Sequence, residues 1–267
     1  MSANSVKITV LIENTALRSD LISEHGLSLF IEVDNKKILF DTGASNSFLA
    51  NAETLGIKID SCDFIILSHG HYDHTGGLKY IADKPVYYHS ALLHKKYKGS
   101  ENGYKFIGIE KNKSEYERHH HLNFFEIDTI KELIPNVTVL IDFAKDPIKN
   151  FYLKNQQTFI PDTFPDECAI AIDTDKGVII ITGCGHSGIL NIIEKALSVT
   201  KKQTIYALIG GFHLSGLPDN DVRIIAEKLL QYDITYIGIS HCTGSKLAEF
   251  LPDEKVFTFN TGDVFKF

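Results

Sequence analysis

Apolar positions along this chain fall in short runs that stop at glycine, aspartate or histidine, and the spacing within each run separates strands from helices. Residues 7–13 (KITVLIE) are apolar and β-branched and predict a strand. Residues 28–33 alternate, Asp34-Asn35 turns the chain, and residues 37–40 return, which predicts a hairpin stopping at Asp41-Thr42-Gly43. Residues 45–55 have helical spacing, with Ser or Asn to cap the helix and Gly56 to close it. Residues 64–67 predict a short buried strand running directly into Ser68-His69-Gly70-His71-Tyr72-Asp73-His74. A helical turn after Gly76-Gly77, a strand at 86–89 and a short helix through Leu93 follow.

Residues 97–125 lack a regular period. Polar residues and the triplet His119-His120-His121 surround an apolar island at Phe106-Ile107, so the stretch reads as an inserted flap over a site or a loose surface loop. Short strands are expected near Phe124 and at 137–141. Residues 169–173 and 178–181 then predict a second hairpin, ending in Thr182-Gly183-Cys184-Gly185-His186. Helix 189–197, strand 205–209 ending in Gly210-Gly211-Phe212-His213, helix 221–230 and strand 236–239 ending in Ser240-His241-Cys242 complete the pattern. The two halves share a plan of hairpins, helices and strands that end in Gly/His loops. That plan predicts a layered α/β fold with a site at strand ends, in one domain spanning 1–267 with the insertion at about 97–125.

Composition narrows the partners. A hydrophobic share of 43% is too high for a disordered chain. No apolar run approaches the ~20 residues of a membrane helix, and no secretory signal is visible at the start. The excess of 34 acidic over 27 basic side chains argues against a nucleic-acid partner and leaves room for a small phosphorylated substrate. The four cysteines form no CxxC pair and are too sparse for a disulfide scaffold, so a reducing cytosol is the expected location. Cys62 and Cys168 sit in strand-like surroundings and read as core.

Histidine carries the chemistry. His69, His71, Asp73 and His74 place four metal-ligand side chains within six residues, directly after a core strand. Imidazole nitrogen and carboxylate oxygen suit zinc, manganese or iron. On one tight loop His69 and His71 can face one ion while Asp73 and His74 face another. A solvated histidine loop is the plain alternative, but a core strand feeds this loop and glycines follow it.

At these residues the chain resembles the metallo-β-lactamase superfamily, whose signature is a strand followed by HxHxDH. Within it, the chain is similar to the branch of 7,8-dihydropterin-6-methyl-4-(β-D-ribofuranosyl)-aminobenzene-5'-phosphate synthase-like proteins and metal-dependent hydrolases. The resemblance is carried by EHGLS at 24–28, LFDTG at 39–43, LSHGHYDHTGG at 67–77, TGCGH at 182–186, GGFHL at 210–214 and SHCTG at 240–244. It implies a four-layer αββα sandwich with a binuclear metal site at one edge of its two sheets. His186 resembles the third-histidine motif and His241 the final histidine, which implies one ion on His69, His71 and His186 and another on Asp73, His74 and His241. Cys184 stands where most of the superfamily has a bridging aspartate; a metal-binding thiolate and a small buried core residue are both open readings.

Other residues follow from the same resemblance. His213 is expected near the site, where it binds metal, protonates a leaving group or holds a phosphate; capping a helix start is the plain alternative. Asp73 and His213 are the catalytic candidates. Asp41 resembles an early aspartate that orients a ligand histidine or the loop backbone. His25 is a candidate for the pocket wall, His89 and His94 either line the same side or lie on the surface, and residues 119–121 read as part of a solvated flap. The implied activity is hydrolysis of a small phosphoester or cyclic phosphodiester, with pterin-related chemistry inherited from the resemblance alone. The nucleophile would be a hydroxide activated by two divalent ions, zinc first and manganese or iron as alternatives. Two other classes stay open: a flavodiiron-like redox protein, disfavoured because Gly70 stands where those proteins usually carry Glu, and a non-catalytic metal or ligand sensor.

Overall fold

The computed structural model describes residues 2–143 and 148–267. In chain order the elements are β1 (Val6–Ile12), β2 (Ser28–Val33), β3 (Lys36–Phe40), α1 (Ser47–Thr54), β4 (Phe64–Ile66), α2 (Tyr72–Thr75) and β5 (Pro85–Tyr88). There follow β6 (Lys96–Ser100), β7 (Gly103–Phe106), α3 (Lys113–His120), β8 (Asn123–Glu126), β9 (Lys131–Ile134), β10 (Val137–Leu140), β11 (Phe151–Asn155) and β12 (Thr158–Pro161). The chain ends with β13 (Ala169–Thr174), β14 (Gly177–Thr182), α4 (Ile189–Thr200), β15 (Thr204–Gly210), α5 (Asp219–Leu229), β16 (Asp233–Ile239), β17 (Val256–Thr258) and β18 (Val264–Lys266).

Two seven-stranded sheets form the centre, in the orders β18-β1-β2-β3-β4-β5-β8 and β17-β16-β15-β14-β13-β10-β9. Their facing sides share one core: Ile8 and Val10 of β1, Ile31 of β2 and Ile38 of β3 meet Ile170 of β13, Ile179 and Ile181 of β14 and Ile209 of β15. The alternate residues serve the outer layers. Leu11 and Leu39 pack with Phe48 and Ala52 of α1, while Val178 and Ile180 pack with Ile192 and Ile193 of α4 and Val222 and Ala226 of α5. This explains why β14 is an unbroken apolar run: a strand covered on both faces has no solvent side to mark with polar residues. Each fully buried Ile contributes about 1.5–3 kcal/mol. The layers are therefore αββα, as the resemblance implied, and the sequence pattern's layered α/β reading is met.

The carboxyl ends of the strands converge. β3 and β4 run parallel in one sheet, and β14, β15 and β16 run parallel in the other. Asp41 leaves β3, His69 to His74 follow β4, Cys184 and His186 follow β14, His213 follows β15 and His241 follows β16. At this edge the sheets approach so closely that a Cβ on Gly183 would lie 2.1 Å from Ser68 Oγ, so only glycine fits there.

The stretch 97–125 is not the irregular loop that its composition suggested. Its first part, β6 and β7, joins β11 and β12 in a separate four-stranded sheet ordered β12-β11-β6-β7. Its second part belongs to the sandwich: Asn112 caps α3 in a capping box with Glu115, Tyr116 is buried, and β8 forms the sheet edge beside β5. Alternation in strands this short carries little signal against their many Lys and Glu residues, which is why the regularity was hidden. No helix among the described residues is long and apolar enough to cross a membrane.

Candidate metal centre

The motif after β4 divides because its backbone changes course at His71. His71 is extended and caps α2, a single helical turn that carries Asp73 and His74. Thr75 closes the turn by donating its Oγ1 hydrogen to the His71 carbonyl at 2.9 Å. Residues on a helical turn rotate by about 100° each, so Asp73 and His74 leave the face used by His69 and His71. The Asp41-Thr42 turn is bonded to the same helix: the Thr42 amide and hydroxyl both donate to the His74 carbonyl, at 2.8 and 3.0 Å.

Two groups of side chains result. His69, His71 and His186 bring ring nitrogens within 4.8 Å of one another, and all three are buried. Beside them, His74 Nε2 lies 3.3 Å from His241 Nε2, His241 Nε2 lies 3.4 Å from Asp73 Oδ2, and His74 Nε2 lies 3.8 Å from Asp73 Oδ2. The structure thus brings together the members of each set that the resemblance implied, and it also groups Asp73 and His241 with His25. Cys184 stands between them, with Sγ 3.2 Å from His74 Nε2, and groups with His69 and His74 on one side and with His186 and His213 on the other. It is buried, and its sulfur faces both groups.

Buried nitrogens without partners mark the first group. His71 Nε2, both ring nitrogens of His186 and Nδ1 of His213 have no hydrogen-bond partner. Such atoms carry a desolvation cost of about 1–3 kcal/mol each unless something else binds them. Burial, reinforced by the neighbouring imidazoles and Lys96, pushes His69 and His186 well below the usual histidine range. Burial and Lys96 likewise depress His71. Neutral rings keep a lone pair, the form a metal needs.

The second group has the opposite electrostatics. Burial opposes charge on His74, but Asp41 and Asp73 outweigh it and raise the ring to about 9. Burial also opposes ionisation of Asp73, but His74 and His241 overcome it and hold the carboxyl below its ordinary range. Fixed carboxylates thus favour a cation at this spot.

Supporting contacts orient the rings. Asp41 Oδ2 accepts from His74 Nδ1 at 2.6 Å, and its carboxylate also accepts from the Ser68 amide and hydroxyl at 2.7 and 2.6 Å. Asn14 Oδ1 lies 3.0 Å from His241 Nδ1, and Glu13 accepts from the His241 amide at 2.8 Å. Glu167 accepts from the amides of His186, at 2.5 Å, and Ser187. Burial pushes the Glu167 carboxyl up to about 7 despite these bonds. Asp41, His213 and His241 all adopt left-handed backbone, with φ of 57°, 51° and 50°, a conformation that costs non-glycine residues energy and is retained where side chains must be aimed.

The remaining candidates divide. His25 comes nearer than a pocket wall: Nε2 is 3.3 Å from Asp73 Oδ2 and the ring is 4.9 Å from that of His241. His213 lies against His186, with ring centroids 4.2 Å apart. His89 instead accepts from the Ala91 amide and caps a short helix, and His94 is exposed. His119 and His121 are exposed at the end of α3. Cys62 and Cys168 are buried, as expected of core thiols.

Sequence reasoning missed several members. Cys242 forms a third group with Cys184 and His241. Of that thiol pair Cys242 ionises first: burial opposes it, but the Cys184 contact and the facing His213 and His241 outweigh burial. The signal was its place beside His241. Asn14 and Glu167 show only as polar residues flanking apolar strands. Phe151 stacks on His71 with centroids 5.5 Å apart, and no sequence feature placed it there.

Residues 24–196 match the metallo-beta-lactamase superfamily. The chain belongs to that superfamily. The 7,8-dihydropterin-6-methyl-4-(beta-D-ribofuranosyl)-aminobenzene-5'-phosphate synthase of Methanocaldococcus jannaschii is 32% identical, over 99% of this chain and 97% of its own. The MJ0448 protein of the same organism is 34% identical over 90% and 91%. Tm1679, a metal-dependent hydrolase of the beta-lactamase superfamily, superposes with a TM-score of 0.85 at 29% identity, covering 97% of this chain and 98% of its own. Members of the metallo-β-lactamase superfamily bind divalent metals, and the histidine, aspartate and cysteine groups described above are the candidate ligands here.

Proposed function

We propose that this metallo-β-lactamase superfamily protein is a binuclear metal-dependent hydrolase of a small phosphoester or cyclic phosphodiester. The observation that carries the reading is the set of buried, partnerless ring nitrogens on His71 and His186 beside a second, carboxylate-bearing triad. His69, His71 and His186 would hold one divalent ion, and Asp73, His74 and His241 the other, with Cys184 between them. Zinc is the first choice for such imidazole, carboxylate and thiolate donors; manganese and iron suit the nitrogen and oxygen donors. Two divalent ions supply Lewis-acid polarisation of a substrate oxygen and an acidified water.

The chain's own residues do the rest. Asp73, held ionised, orients the attacking water. His213 has an unpartnered Nδ1 at the cavity wall, where it can donate a proton to the leaving group or stabilise charge on the substrate oxygen. Phe151 covers His71 and excludes water from that side. The relative from M. jannaschii is named a synthase of a 5'-phosphate that contains a pterin, so a phosphorylated, pterin-related substrate is the finer form of this proposal. The free cysteines suit a reducing, cytosolic setting.

The test is elemental analysis of protein purified without chelator or added metal, followed by hydrolysis assays on phosphoesters and cyclic phosphodiesters. Two equivalents of divalent metal with turnover are expected. Protein that holds metal but turns over none of them would favour a sensor, and protein that holds no metal would overturn the site.

A further inference from the structure

The cavity over the metal centre, about 380 Å³, has two unlike walls. One is the ligand cluster. The other is the small sheet ordered β12-β11-β6-β7, whose residues Lys98, Lys105 and Phe151 line the space. Lys98 pairs directly with Lys105 across the β6–β7 hairpin and with Phe151 across β6–β11, so all three side chains stand on one face of that sheet.

Two lysines directly opposite each other destabilise a hairpin. No carboxylate among the described residues pairs with either ammonium. The contrast with Lys96 is informative. It lies two residues earlier on the same face, is buried, and is neutralised by Asp162 and Asp166 at 2.8 Å each. Among the described residues the fold thus supplies counter-charges for the inner lysine and none for the outer two, which face the cavity. Lys98 Nζ also lies 5.7 Å from the centre of the Phe151 ring, a contact that holds the ammonium over the cavity.

We propose that Lys98 and Lys105 form an anion clamp that binds the phosphate of the substrate and makes the site selective for phosphorylated molecules. This rests on the hydrolase reading above and deepens it by assigning the residues that select the substrate class. A cavity of this volume holds a small molecule, and an anionic phosphate group spanning two ammonium groups relieves their mutual repulsion. Lys154 lies on the same small sheet but over Phe159, outside the cavity lining, and serves as a control.

The experiment uses metal-containing protein as purified and compares wild type, Lys98→Ala, Lys105→Ala, the double variant and Lys154→Ala. Binding of inorganic phosphate is followed by calorimetry at low and high salt. Hydrolysis of bis(p-nitrophenyl) phosphate is compared with that of p-nitrophenyl acetate. Each single cavity variant should weaken phosphate binding about fivefold, the upper range for an exposed charge pair. The double variant should weaken it further and flatten its salt dependence. The ratio of kcat/KM for the phosphodiester to that for the acetate ester should fall in parallel, with Lys154→Ala behaving as wild type. Unchanged affinity and salt dependence in the double variant would overturn the clamp, even if the wild type proves an active phosphodiesterase. Lysine-dependent phosphate binding by a protein that hydrolyses neither ester would uphold the clamp and overturn the hydrolase reading instead.

Discussion

Asp41 Oδ2 lies 2.6 Å from His74 Nδ1, with both side chains sealed from solvent, and this contact fixes which nitrogen of His74 faces the second triad. The carboxylate accepts the Nδ1 hydrogen, so Nε2 is the nitrogen that faces Cys184 and His241. The sequence reading of Asp41 as an orienting residue agrees with this contact.

Replacing Asp41 by Asn removes the charge that sets this orientation. Metal affinity should fall about 10- to 100-fold, the usual worth of such a partner. Competition against a chelating dye measures it. Unchanged affinity would mean that the Asp41 contact serves only the fold.

His71→Ala and Asp73→Ala each remove one member of a different triad. Both should lower metal content and abolish turnover, with circular dichroism showing the same secondary structure as wild type. Full metal and full activity in either variant would refute the binuclear assignment.

His213→Ala separates a ligand from a proton donor. If the two triads complete the metal shell, metal content stays near wild type and kcat falls about 10²–10⁴-fold. Loss of one metal would make His213 a ligand, a role its grouping with Cys184 and His186 permits geometrically. Metal content and kinetics must be measured on the same preparation, because neither alone distinguishes the two.

Lys96 ties the small sheet to the ligand loop. Its ammonium bonds Asp162 and Asp166, and Asp166 in turn accepts the Gly70 amide at 2.7 Å, between His69 and His71. Burial pushes Lys96 down, but the two carboxylates outweigh it and hold the ammonium above its ordinary value. Burial raises Asp162 even with Lys96 beside it, so the pairing recovers only part of the desolvation cost. Lys96→Met strands two buried carboxylates and should destabilise the protein by about 3–5 kcal/mol in urea unfolding. In the wild type the contribution of Lys96 is fully present below the free-lysine value of ~10.4 and is lost only as pH rises through its raised folded value. A loss under about 1 kcal/mol in the variant would show that the network relaxes without its cation.

Local order explains what the sequence by itself determined. The sandwich strands are legible because each is a period-two or fully apolar run bounded by turn residues, as in β2 and β3 around Asp34-Asn35 or β14 before Gly183. The ligand motif is legible because four metal-type side chains fall in six residues after β4, and His186 and His241 each follow a strand of their own.

Long-range pairing decided the rest. Cys184 contacts His74 across 110 positions, His241 meets Asn14 across 227, and Lys96 finds Asp166 across 70. Asn14, Lys96 and Asp166 leave no local signature, because a surface asparagine, one lysine among many and one aspartate among many carry no mark until the sheets bring them to their partners, and Cys184 stood out only through the resemblance. The small sheet shows this most clearly. Lys98 and Phe151 are ordinary residues in the sequence, and only the β6–β11 register places them on one face over the candidate metal centre.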